Sequence, residues 1–94
     1  MKIAIIGSGI SGLSASLILS QEHEITLFET DKRFGGHANT VDVIDNQESI
    51  PVDTGFIVYN KLNYPNLVGF FKWLNVSTIS SDMSFGVSAR DGEL

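Results

Sequence analysis

The 94-residue sequence contains no cysteine. That excludes a disulfide framework, a thiolate nucleophile and a thiolate metal site, is neutral about compartment, and fits the cytosol. Basic charge is sparse. The six basic residues, Lys2, Lys32, Arg33, Lys61, Lys72 and Arg90, are scattered among eleven acids, for a net charge of −5. With no basic stripe to follow a phosphate backbone, nucleic acid is not expected as a partner. No two histidines share helical spacing and the acids do not cluster as ligands, so no metal is expected. Long apolar runs are missing as well. Met1-Lys2 followed by Ile3-Ala4-Ile5-Ile6 superficially resembles a secretion signal. Gly7, Gly9 and Gly12 interrupt it, no small-residue cleavage pattern follows, and no run is long enough for a membrane span. The expectation is a cytoplasmic protein without a transmembrane segment.

What is present is an apolar content of 43% with moderate charge and no repeat or low-complexity tract, the composition of a soluble globular chain. The length allows one modest core, in one domain or part of one.

Ile3 to Ile6 is a short β-branched apolar run closed by glycine, which predicts a strand buried on both faces of a parallel sheet. From Ile10 to about Ser20, Ile10, Leu13, Leu17 and Ile18 recur at helical spacing with Ala15 between and predict the face that packs on that sheet. A second strand is expected over Glu24 to Phe28, closing on Glu29. A helix of this length carries the chain back along one strand, so the two strands are parallel and the glycine turn and Glu29 share the carboxyl edge of the sheet.

Further on, Val41 to Ile44 and Ile50 to Val52 flank a polar Asp45-Asn46-Gln47-Glu48-Ser49 and predict an antiparallel hairpin. Asn63 is expected to cap a helix that starts around Tyr64-Pro65, presents Leu67, Phe70, Phe71 and Leu74, and ends at Asn75. Val76 to Ile79 and Met83 to Val87 read as two short strands before the polar Ser88-Ala89-Arg90-Asp91-Gly92-Glu93. His23, between Glu22 and Glu24, reads as a solvated surface residue. Phe70 and Phe71 read as core, with Tyr59 and Trp73 undecided between core and a substrate lining.

The chemistry concentrates in Gly7-Ser8-Gly9-Ile10-Ser11-Gly12. Gly7 permits a tight turn out of the strand, Gly9 lets a diphosphate approach the main chain, and Gly12 lets helix and strand sit close. The free amides of the first helical turn then meet the phosphates with a positive dipole end. Such glycines alone fit either a nucleotide site or a flexible turn. The strand before, the helix after, and Glu29 placed 17 residues beyond Gly12 select the nucleotide site. Glu29 is expected to accept hydrogen bonds from the 2′- and 3′-hydroxyls of an adenosine ribose, where a 2′-phosphate would meet like charge, so NADP is disfavoured. A glutamate taken alone is most commonly a solvated strand end, a reading that the motif opposes.

Gly7 to Gly12 with Leu13, then Glu29, then Arg33-Phe34-Gly35-Gly36-His37-Ala38-Asn39-Thr40 resembles the amino-terminal signature of the FAD-dependent amine oxidase and phytoene desaturase superfamily. The likeness is nearest to bacterial amine-oxidase-like proteins with a histidine after the glycine pair; it covers residues 3 to 40 well and the rest loosely. It implies FAD as cofactor, with the first motif and Arg33 on the diphosphate, Glu29 on the ribose, and Gly35 and Gly36 running beside the cofactor. His37 stands where many amine oxidases carry arginine or lysine, so the likeness implies no substrate; the residue either takes a catalytic part, as by donating a hydrogen bond, or is structural. Asp53-Thr54-Gly55-Phe56 resembles the superfamily's turn close to the flavin, which adds Gly55 to the cofactor contacts. Asp-Thr-Gly is also the aspartic-protease triplet, a reading that the strand–helix–strand start opposes.

The expected fold is α/β: a Rossmann-type FAD-binding βαβ start and glycine-pair loop over residues 1–40, then a hairpin, a helix and short strands. Residues 1–94 then form the amino-terminal part of a larger FAD-binding domain, inactive alone. Its partners would be the remainder of the FAD and substrate domains and a small-molecule substrate, and no residue stands out as a catalytic base. The implied activity is hydride transfer from a substrate C–H bond to flavin. Two alternatives stay open: a nicotinamide-dependent Rossmann enzyme, and a redox-inert dinucleotide-binding protein on the same fold, as in the Rab GDP-dissociation inhibitors.

Overall fold

A computed structural model of the chain describes residues 1–90. They fall into two units, one spanning Met1–Ile57 and the other beginning at Val58.

The first unit opens with β1 (Lys2–Ile6), α1 (Ile10–Leu19) and β2 (Glu24–Phe28). β1 and β2 pair in parallel from Lys2↔Glu24 to Ile6↔Phe28, and α1 packs on both strands. The alternation of each strand puts Ile3, Ile5, Ile25 and Leu27 on the half-buried face, while Ile6 and Phe28 on the other face are exposed. The expected burial of β1 on both faces is therefore corrected. An apolar run specifies a strand that can be covered twice, but one crossover helix covers one face.

The inward face of α1 is also corrected. Ile10, Leu13, Leu17 and Ile18 are exposed; Gly12, Ala15, Ser16 and Leu19 are half-buried, at the i, i+3, i+4, i+7 spacing of one helix face. The reason is steric. A Cβ on Gly12 would meet the Gly7 carbonyl oxygen at 1.8 Å and Ile5 Cγ2 at 3.5 Å, so the helix lies against β1 at a distance only small side chains permit. Just beyond α1, the His23 amide donates to the Leu19 carbonyl at 2.9 Å. That turn leaves His23 half-buried, with Nδ1 enclosed and unpartnered, rather than solvated.

β3 (Thr40–Asp45) and β4 (Glu48–Asp53) form the expected hairpin, antiparallel from Thr40↔Asp53 to Asp45↔Glu48. Asn46 and Gln47 both adopt positive φ, 48° and 67°, as a two-residue turn matched to strand twist requires.

In the second unit, α2 (Pro65–Trp73) begins with proline in its first turn, as expected. Asn63 is not its cap. Tyr64 holds that position without a side-chain capping bond to the helix, and the Asn63 amide instead donates to Asn60 Oδ1 at 2.8 Å. The far end closes at Asn75, with φ 56°; its amide donates to the Lys72 carbonyl and that of Val76 to the Phe71 carbonyl, a Schellman motif. Leu67, Phe70 and Phe71 are half-buried, Leu74 is exposed, and Tyr59 meets Tyr64 and Phe71 edge-on at 6.5 and 5.4 Å.

The strands expected over 76–79 and 83–87 do not form; Ile79 and Phe85 are more than 90% exposed. Apolar and β-branched residues favour a strand only where an edge is offered for pairing, and none is paired with them. Of the polar tail, Asp91, Gly92 and Glu93 lie outside the described residues. No helix among the described residues is long and apolar enough to cross a membrane.

Candidate functional site

The turn between β1 and α1 starts at Gly7, whose φ of +96° strains any L side chain and whose amide donates to the Phe28 carbonyl at 2.8 Å. Gly12 is demanded by its contact with Gly7. Gly9 is different: its φ of −71° is open to any residue and a Cβ there would meet nothing within 4 Å. Neither conformation nor packing among the described residues requires glycine at this position. Gly9 also caps α1 without a side-chain bond, and the first turn holds no acid, so the amides at the start of α1, including those of Ser11 and Gly12, have no side-chain acceptor among the described residues.

Ser8 is the one fully buried residue among those described. All its polar groups are engaged within the protein. Its amide donates to Glu29 Oε2 at 2.8 Å, its hydroxyl donates to the same oxygen, and its carbonyl accepts the Gly35 amide at 2.9 Å. Glu29 Oε1 accepts the Asp31 amide at 3.0 Å. The Ser8 hydroxyl, then the Asp31 and Ser8 amides, outweigh desolvation, with a small share from the Thr30 amide, and lower the Glu29 pKa from 4.5 to about 2. The carboxylate beside the turn is thus ionised at any physiological pH.

The second glycine loop lies directly on the first. Gly35 (φ +118°) and Gly36 (φ +61°) are left-handed, and a Cβ on Gly36 would come 2.9 Å from Gly9 Cα. Arg33 braces this loop: Nη2 donates to the Gly36 carbonyl at 2.7 Å, and Nη1 to the Ala38 and Phe34 carbonyls at 3.2 and 3.3 Å. The guanidinium expected on phosphate is thus engaged by its own loop. His37 is exposed, and its carbonyl oxygen lies where a Cβ on Gly55 would come within 1.6 Å, so Gly55 is required for the close approach of these two segments.

Asn39, Thr40 and Thr54, to which the sequence motifs assign no role of their own, hold this approach. The Thr54 amide and hydroxyl both donate to the Asn39 carbonyl, at 2.9 and 2.8 Å, and the Thr40 hydroxyl donates to Asp53 Oδ1 at 2.6 Å. Threonine at the two ends of a hairpin was the available signal. Gly7 to Gly12, Glu29, Arg33, Gly35, Gly36, His37 and Gly55 all belong to the first unit, and the contacts above join the two glycine motifs, the acid and the Asp53-Thr54-Gly55 segment.

Over 40 residues the chain is 52% identical to the 4,4'-diapophytoene desaturases (4,4'-diaponeurosporene-forming) of Staphylococcus aureus strains Newman, USA300 and MW2. That stretch is 42% of this chain and only 8% of the length of each relative. The phytoene desaturase likeness carried by the motifs is thereby upheld. Residues 5–74 match the family model described as NAD(P)-binding Rossmann-like domain. The chain belongs to the NAD(P)-binding Rossmann-like domain family.

Proposed function

We propose that this chain binds FAD and is the amino-terminal FAD-binding portion of a flavin-dependent, amine-oxidase-like oxidoreductase, inactive without its FAD and substrate domains. The observation that carries the reading is Gly9, a glycine required by neither its φ nor any neighbour within 4 Å. A bound group passing close to the main chain supplies the missing reason, and the uncapped amides of α1 beside it fit a diphosphate. Glu29, held ionised, accepts from the adenosine ribose and repels a 2′-phosphate. Gly35, Gly36, His37 and Gly55 continue the path along the cofactor, and Arg33 serves by bracing their loop.

FAD, when bound, supplies the acceptor for a hydride from a substrate C–H bond. The residues of this chain would hold it: backbone amides at the start of α1 at its phosphates, Glu29 at its ribose, and the two glycine loops beside it. The desaturases that the chain resembles support oxidation of a small molecule.

A nicotinamide-dependent enzyme is the second reading, favoured by the description of the matched family. The Arg33-braced second loop opposes it, because a nicotinamide site has no need of one. The test is the visible spectrum of the full native chain before and after anaerobic reduction. A band near about 450 nm that bleaches on reduction is expected. Its absence, with NAD binding instead, overturns the FAD reading, and tight flavin that resists reduction favours a redox-inert binding protein.

A further inference from the structure

We propose that Ser8 makes Glu29 a reader of one ribose hydroxyl rather than two, and so acts as a specificity-determining residue of the cofactor site. The inference rests on the reading of Glu29 as the ribose acceptor.

An ionised carboxylate offers about four lone-pair positions on its two oxygens. On Glu29, Oε2 accepts both the Ser8 amide and the Ser8 hydroxyl, and Oε1 accepts the Asp31 amide. These three bonds leave one position, on Oε1, contested only by the weakly acting Thr30 amide. A ribose presents two vicinal hydroxyls, and the usual two-handed grip on a carboxylate needs a free position on each oxygen. The grip expected from sequence is therefore replaced by a single bond.

Ser8 is poorly placed to yield. Its side chain is fully buried, and its main chain is fixed on one side by Glu29 and on the other by the Gly35 amide at 2.9 Å. The Ser8 hydroxyl has no other acceptor among the described residues. Competing charge is also absent from the first turn of α1, and the nearby Asp31 and Arg33 side chains face each other, with Nε 3.9 Å from Oδ2.

The experiment titrates the full native chain, freed of cofactor, with ADP, 2′-deoxy-ADP and 3′-deoxy-ADP. One deoxy analogue is expected to bind about tenfold more weakly than ADP, the value of a hydrogen bond to a charged acceptor, and the other within about twofold. Ser8→Ala opens a position on Oε2, so both analogues then weaken relative to ADP; Ser8→Gly removes the same hydroxyl and gives the same pattern. Equal weakening of both analogues in the native chain, or an unchanged pattern in the two variants, overturns the proposal. Failure of ADP itself to bind overturns the FAD reading and this inference with it. The Ser8–Glu29 bond has a separate readout in carbon-13 NMR of the Glu29 carboxyl without ligand. Ser8→Ala must raise its titration midpoint, and an unmoved midpoint overturns the proposal whatever the cofactor.

Discussion

Gly12 and Gly7 approach so closely that a Cβ on Gly12 would lie 1.8 Å from the Gly7 carbonyl oxygen. That one contact sets how near α1 lies to β1, and through it where the amides of the helix start are held beside the carboxyl edge of the sheet.

Gly12→Ala is accordingly expected to cost about 1–3 kcal/mol in stability as the helix is pushed away from the strand. Denaturant unfolding of the full native chain measures it. Cofactor affinity should fall in parallel, because the same displacement moves the amides.

Gly35→Ala faces two penalties together, a φ of +118° and a contact of 2.6 Å with the Ala38 carbonyl. The strain alone is about 1–3 kcal/mol. Hydrogen exchange should show lost protection first at the Gly35 and Ala38 amides, whose acceptors are the Ser8 and Gly35 carbonyls.

Glu29 sets an acid-side dependence. Its pKa is lowered from 4.5 to about 2 in the folded chain, so its stabilising contribution is complete above the ordinary carboxylate value and is lost as pH falls from 4.5 through 2. Glu29→Gln should be less stable than the native chain near neutrality, with the difference shrinking across that window. Unfolding measured at a series of pH values checks the sign.

Arg33 separates bracing from phosphate contact. Its terminal nitrogens reach three loop carbonyls, so Arg33→Gln should weaken FAD binding by about two- to tenfold while leaving the salt dependence of binding unchanged. A shallower salt slope would mark a direct phosphate contact instead.

The βαβ order, the hairpin and the close of α2 at Asn75 were legible because each has a local cause: a glycine stop, a polar turn, or a residue that tolerates positive φ. The inward face of α1 was not. Bulk and hydrophobicity pointed to Ile10, Leu13, Leu17 and Ile18, whereas close packing selects the small residues Gly12, Ala15 and Ser16, of which only Ser16 carried no signal. Strands over 76–79 and 83–87 failed for a non-local reason, since propensity cannot state whether an edge is available. Within the site, the spacing that singled out Glu29 did not reveal that Ser8 would take up one of its oxygens.

The central claim is that Gly9 is glycine for the sake of a bound diphosphate, and the most direct measurement is FAD affinity in Gly9→Ala beside the native chain. A Cβ at this position meets nothing within 4 Å, so unfolding should differ only by the loss of glycine's flexibility. Binding should weaken by about tenfold or more as the methyl group meets the phosphates. Native-like affinity in a folded Gly9→Ala protein would contradict the account.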